Sequence, residues 1–182
     1  MPASPSIILI SGPPGAGKST VARLLVAPSN EPIAYIEGDV FWRFIARTQT
    51  AATKAETRAQ NGRIVVGAMI ASALRFARGG YETVLDFTIG PWALPSILPK
   101  MKETPLDYVV LCPSEAECAR RAAQRVEGAM PDYSPYRDLH AAFSDPGPFE
   151  RCAIRNDTAD AAELAATIRA ALGAGAYRVT EK

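Results

Sequence analysis

The sequence has little with which to bind a soft metal or cross-link a chain: one histidine and three cysteines in 182 residues. Cys112, Cys118 and Cys152 are odd in number and form no Cys-x-x-Cys pair. Neither a disulfide framework nor a zinc site is expected, and reduced thiols point to a cytoplasmic protein. No charge of either sign dominates, because 20 Lys+Arg stand against 19 Asp+Glu for a net charge of +1. No bulk field therefore draws the chain to nucleic acid or to an anionic membrane, and an anionic ligand must be held by a local pocket. Long apolar runs are also missing. Residues 64–74 are interrupted by Gly67 and Ser72, far short of the ~20 residues that a bilayer crossing needs. The apolar run 7–10 is too short for a signal peptide and follows no basic segment. What is present is globular: 48% hydrophobic and 21% charged residues, in a length that suits one domain, 1–182, with an inserted lid.

The pattern along the chain alternates. Ser6-Ile7-Ile8-Leu9-Ile10 reads as a strand buried on both faces, and after Lys18 the residues Val21, Leu24 and Leu25 recur at helical spacing up to Pro28. Strands follow at 33–37, 82–87, 106–112 and 152–155. Helical stretches lie around Phe41, Trp42, Phe44 and Ile45, at 53–78, after the capping box Ser114-Glu115-Ala116-Glu117, and at 160–172. The long helix presents Ile64, Val65, Ala68, Met69, Ser72 and Phe76 as its apolar face. Such alternation predicts a three-layer α/β sandwich, a five-stranded parallel sheet with helices on both faces, which binds ligands at the carboxyl ends of its strands. Residues 126–150, with four prolines, read as a lid of loop and short helix, and 173–182 as a mobile tail.

One strand end carries a specific motif. Gly12-Pro13-Pro14-Gly15-Ala16-Gly17-Lys18-Ser19 fits G-x-x-x-x-G-K-[ST] between a buried strand and an amphipathic helix, the context of a P-loop. Backbone amides of Gly12, Gly15, Ala16 and Gly17 are expected to cradle the phosphates of ATP. Lys18 would reach the β- and γ-phosphates, and Ser19 would ligate Mg²⁺. No Asn-Lys-x-Asp occurs, which argues against a GTPase. Thr83-Val84-Leu85-Asp86 is an apolar strand ending in an acid. Asp86 is a candidate for holding a Mg²⁺ water or a substrate hydroxyl, or else it caps the following loop. Arg121 and Arg125, four apart, would share a helix face and close over the transferring group, unless they pair with Glu117 or Glu127. Trp42, Arg43 and Trp92 flank the acidic strand ends and are candidates for walling an acceptor site. His140 reads as a packing residue.

The P-loop, Glu37-Gly38-Asp39 after the second strand, the arginine-bearing helix before a lid, and the last strand and helix together resemble the small P-loop kinases of the nucleoside-monophosphate-kinase-like group. Gluconate and shikimate kinases, chloramphenicol phosphotransferase and the zeta-toxin kinases belong to it. The resemblance implies that Asp39 orients and deprotonates the acceptor hydroxyl and that Thr20 contacts the α-phosphate. It further implies that the turn holding Asn156 and Thr158 approaches the adenine. The acid at Asp86 leans the likeness toward the antibiotic phosphotransferases. The expected activity is transfer of the γ-phosphoryl group of ATP to a hydroxyl of a small molecule, with Mg²⁺, by a cytoplasmic monomer or homodimer with no nucleic-acid or membrane partner. A nucleotide or nucleotide-sugar kinase and a non-catalytic ATP-binding regulatory module are the other readings.

Overall fold

Every residue of strand β1 (Ile7–Ser11) is buried, as a strand covered on both faces must be. A computed structural model describes residues 5–48 and 53–180. Its sheet has the order β2-β3-β1-β4-β5, with β2 (Ile33–Glu37), β3 (Glu82–Asp86), β4 (Leu106–Leu111) and β5 (Ala153–Ile154) all parallel to their neighbours. The crossovers are helical, as parallel pairing requires. They comprise α1 (Lys18–Val26), α2 (Val40–Arg43), α3 (Lys54–Arg78), α4 (Leu94–Met101), α5 (Glu115–Ala123) and α6 (Arg137–Ser144), and α7 (Ala161–Gly173) follows β5. Thr53, Ser114 and Asp160 cap α3, α5 and α7 by accepting backbone N–H bonds with their side chains. Helix α4 arises where Pro91, Pro95 and Pro99 argue against one. Burial of Leu94, Ile97 and Met101 outweighs that.

Three sequence expectations change. On α3 the buried residues are Val65, Met69, Ile70, Ala73, Leu74 and Ala77, whereas Ile64 and Phe76 are about half exposed. The helix is apolar round most of its circumference, so its period fits two rotations. The tail is not loose as far as it is described. Residues of β6 (Arg178–Val179) pair antiparallel with Leu106 and Asp107, and Tyr177 is buried. The cause lies in β5. Its two residues cover only Val110 and Leu111, which leaves the first half of β4 an open edge that β6 fills. The sheet is thus five parallel strands plus one antiparallel. Finally, residues 130–152 form a packed unit rather than an open lid: Tyr133, His140 and Phe143 are buried, and His140 Nε2 bonds the carbonyl of Pro113 at 2.8 Å.

Arg178 also places both guanidinium arms on the buried Asp107 carboxylate, at 2.9 and 3.1 Å. Removing the arginine leaves that charge desolvated and unpaired. Arg178→Ala is expected to cost roughly 2 kcal/mol, the buried-pair penalty discounted for the exposure of the arginine. A urea unfolding curve reads this as a lower midpoint at unchanged slope.

Candidate functional site

The loop between β1 and α1 is shaped by what packs against it. Gly15 has φ +80° and its missing Cβ would fall on the carbonyl of Cys118 in α5, so only glycine fits there. Tyr133 donates to the carbonyl of Pro14 at 2.9 Å, and Asn156 Nδ2 to the carbonyl of Ala16 at 3.1 Å. The loop is therefore braced from two sides. Its concave side opens into a cleft of about 510 Å³ lined by Gly15, Gly17, Lys18, Ser19, Thr20, Arg23, Glu37, Asp39, Asp86, Phe87, Arg121, Arg125 and Glu127. Lys18 Nζ donates to the Pro13 carbonyl at 3.0 Å. Burial strips its hydration and pulls its pKa down to about 8, against the opposing pull of Asp86 and Asp39.

Two strand ends deliver the acids. Asp86 ends β3 beside β1, level with Ile10, and Glu37 ends β2 level with Asp86. Gly38 then turns the chain so closely over β3 that its N–H donates to the Asp86 carbonyl at 2.9 Å. A Cβ on Gly38 would lie 2.7 Å from that oxygen, from Met69 Sδ and from Phe87 Cβ. This turn sets Asp39 at the cleft's lip, exposed, with its carboxylate unused as a cap for α2. Asp86 is the opposite case, buried and held. Burial raises its pKa, while a hydrogen bond from Tyr35, the Ser19 hydroxyl and the charge of Lys18 pull it back. The Tyr35 hydroxyl donates to Asp86 Oδ2 at 2.6 Å.

Of the residues singled out in the sequence, the cleft brings together Gly15, Gly17, Lys18, Ser19, Thr20, Asp39, Asp86, Arg121 and Arg125. Gly12 and Ala16 lie in the same loop but are buried beneath its surface. Arg121 and Arg125 do not share a helix face, because α5 ends at Ala123 with Gln124 as its C-cap. Nor is Arg121 a closing residue. Its Nε bonds Glu117 at 2.6 Å and its Nη2 bonds the carbonyls of Asn156 and Asp157 at 2.9 and 3.0 Å, so it staples α5 to the turn after β5. Arg125 stands exposed just beyond the helix end. Asn156 points under the P-loop, Thr158 is exposed, and neither lines the cleft. Trp92 instead covers Gly90 and packs on Phe143 at 5.4 Å between ring centroids, and Trp42 packs on Gly62 of α3. Arg43 lies one turn after Asp39, outside the cleft lining. Sequence reasoning missed Tyr35, whose place on a strand reads as packing, and Arg23, Phe87 and Glu127 as lining residues.

A glycine-rich loop after β1, an acid after β2, an acid ending β3 and the order β2-β3-β1-β4-β5 define the fold of the small P-loop kinases. Residues 7–139 match the AAA-domain family, and the chain belongs to it. No curated protein matches the sequence. Solved structures share the fold at low identity. The chain is similar to the tunicamycin resistance protein of Deinococcus radiodurans, with TM-score 0.69, 15% identity and coverage of 93% of this chain and 96% of that one. It is similar to a sugar kinase from Janibacter sp., with TM-score 0.69, 16% identity and coverage of 93% and 95%. A chain of an RNA repair complex aligns with TM-score 0.61 and 17% identity over 78% of this chain and 45% of that one.

The Tyr35 bond favours the ionised form of Asp86. Tyr35→Phe should therefore raise the Asp86 pKa and move the acid limb of any activity that needs this carboxylate to higher pH. The basic limb should stay in place.

Proposed function

We propose that this protein is an ATP- and Mg²⁺-dependent cytoplasmic kinase that moves the γ-phosphoryl group to a hydroxyl of a small molecule. The observation that carries the reading is the convergence of Lys18, Ser19, Asp86 and Asp39 on one cleft at the strand ends. A glycine-rich loop at the N-terminus of α1, with Gly15 and Gly17 lining the cleft, fits a triphosphate. Ser19 and Asp86 offer only hard oxygen donors, and among the described residues no cluster of three or more His, Cys, Asp or Glu exists. That set fits Mg²⁺, which keeps its waters and takes one or two protein oxygens plus substrate phosphates. When bound there, the ion would neutralise charge on the β- and γ-phosphates.

The residues then divide the work. Lys18 holds the phosphates. Its desolvated ammonium regains stabilisation from an anion, so the loop binds one in preference to water. Asp86 has one oxygen taken by Tyr35 and lies beside Ser19. This suits it to holding the metal and leaves it poorly placed to receive a proton. Asp39 has a carboxylate free at the lip, and takes the acceptor's hydroxyl proton as that oxygen bonds to the γ-phosphorus. The bond from phosphorus to the β–γ bridging oxygen breaks, and ADP leaves with that electron pair. Arg125, beyond the end of α5, is the cation available to the developing charge.

Lys18→Ala should abolish turnover. Asp39→Asn should retain ATP binding and lose phosphoryl transfer by roughly 10²–10⁴-fold, the range for a general base. Wild-type transfer rates by Asp39→Asn would remove it from that role. Lys18 also gives a pH signature. Its free-state pKa is about 8, and a bound triphosphate favours the protonated form. ATP affinity should thus be flat below pH 7 and fall by about tenfold per pH unit above pH 8, with proton uptake on binding. Calorimetry in two buffers of different ionisation enthalpy checks both.

A further inference from the structure

The strand starts, at the other end of the sheet from the cleft, hold a second cavity. Pro5 and Pro105 lead into β1 and β4, and the Pro105 carbonyl accepts the N–H of Ile7 at 2.9 Å. The last turn of α3 and the turn that follows α4 close over these starts. Between them lies a cavity of about 570 Å³, with Pro5, Ala77 and Pro105 as apolar lining and Arg78, Lys102 and Thr104 as polar lining. Small-molecule sites span roughly 300–1,000 Å³, so the space suits a compact ligand. A smaller cavity of about 280 Å³ lies against the same turn, and Lys102 and Glu103 line both.

The turn has an unusual backbone. Thr104 donates its N–H to the Met101 carbonyl at 2.9 Å, which closes residues 101–104 into a tight turn at the end of α4. Lys102 stands there at φ 48° and ψ −113°, the conformation of the first central residue of a type II′ turn. That position favours glycine, because a Cβ crowds the flanking peptide. Every other positive φ among the described residues belongs to a glycine, and Lys102 is the one exception. Its side chain is exposed, so packing does not require it either. Backbone strain that neither the turn nor the core explains points to work done by the side chain.

Exposed cations without a carboxylate partner occur elsewhere on this surface, so the lack of one does not single out Lys102. Arg75, Arg78 and Lys100 lie in the last turns of α3 and α4, where a cation offsets the helix dipole. Lys102 lies past the end of α4, and it shares the cavity with Arg78 against Glu103 as the one acid of the lining. The last carbonyls of α3, those of Arg75, Phe76 and Ala77, are already taken by the N–H groups of Gly79, Gly80 and Tyr81. The open hydrogen-bonding capacity of the cavity is thus weighted toward donors. A guanidinium and an ammonium beside two prolines and an alanine match a carboxylate on an apolar body. We propose that this cavity binds a small organic carboxylate, its charge held by Arg78 and Lys102 and its apolar body lying against Pro5, Ala77 and Pro105. The site is independent of the kinase reading.

The test titrates benzoate, benzyl alcohol and acetate by calorimetry into the full chain, with a non-hydrolysable ATP analogue and Mg²⁺ present so that the strand-end cleft is blocked. Benzoate should bind at least tenfold more tightly than benzyl alcohol, which lacks the charge, and than acetate, which lacks the body. Arg78→Ala and Lys102→Gly should each weaken benzoate at least tenfold, whereas Lys102→Arg should keep it. The glycine variant carries a second signature that loss of a merely structural lysine would not give. It should raise the urea midpoint by releasing the strained backbone while losing the ligand. A midpoint that stays or falls, benzoate binding unchanged in Lys102→Gly, or no benzoate binding to the parent chain overturns the proposal. Benzoate that competes with the ATP analogue does so too, since it would then occupy the cleft.

Discussion

A partly desolvated ammonium and a buried carboxylate share one end of one sheet, and each lowers the cost of the other's charge. Lys18 loses proton affinity by burial and regains part of it from Asp86 and Asp39. Asp86 is pushed the other way by burial and brought back by Tyr35, Ser19 and Lys18. Both groups have given up part of their hydration, so the site tolerates little rearrangement. The fold meets this constraint by placing β1 and β3 side by side. Ile10 then lies level with Asp86, and the loop leaving β1 passes over the end of β3. Gly38 finishes the arrangement, because only a residue without a side chain lets β2 turn across the Asp86 carbonyl.

The same constraint explains how the phosphate loop is supported. Its glycines make it flexible in isolation, yet α5 presses on Gly15, Tyr133 ties Pro14 and Asn156 ties Ala16. Arg121 holds the turn that carries Asn156 against α5, so a guanidinium that faces the cleft serves as a structural staple. Residues 130–152 take part in this bracing through Tyr133 and His140. The stretch left exposed beside the cleft is short: Gln124 to Ala129, carrying Arg125 and Glu127.

Most of the frame was legible in the sequence because it rests on local chemistry. Thr53, Ser114 and Asp160 announce helix starts through side-chain caps that need no tertiary contact, and the strand ends fall within a residue or so of those expected. Lys18, Ser19, Asp39 and Asp86 converge because each closes or follows a strand of a parallel sheet. What escaped depends on partners distant in sequence. Tyr35 acquires meaning only when β2 lies beside β3, and Arg121 only when the turn after β5 reaches α5. The two-residue β6 carries no periodicity of its own, and it exists because β5 stops short. The buried face of α3 escaped for a different reason, since apolar residues on nearly all sides leave its rotation to packing.

That rotation has a consequence for the exposed half of the helix. Turning Val65, Met69 and Ala73 inward puts Gly62 under Trp42, and it leaves the N-terminal turns of α3 beyond the strands, with no sheet to bury against. An overhanging helix segment contributes little to the core, so its composition is released from the demands that fix Lys18 and Asp86. The strand-end cleft and the overhang therefore tolerate substitution to different degrees. Changes in the first disturb charges that compensate each other at the strand ends. Changes in the second fall on residues that no strand covers.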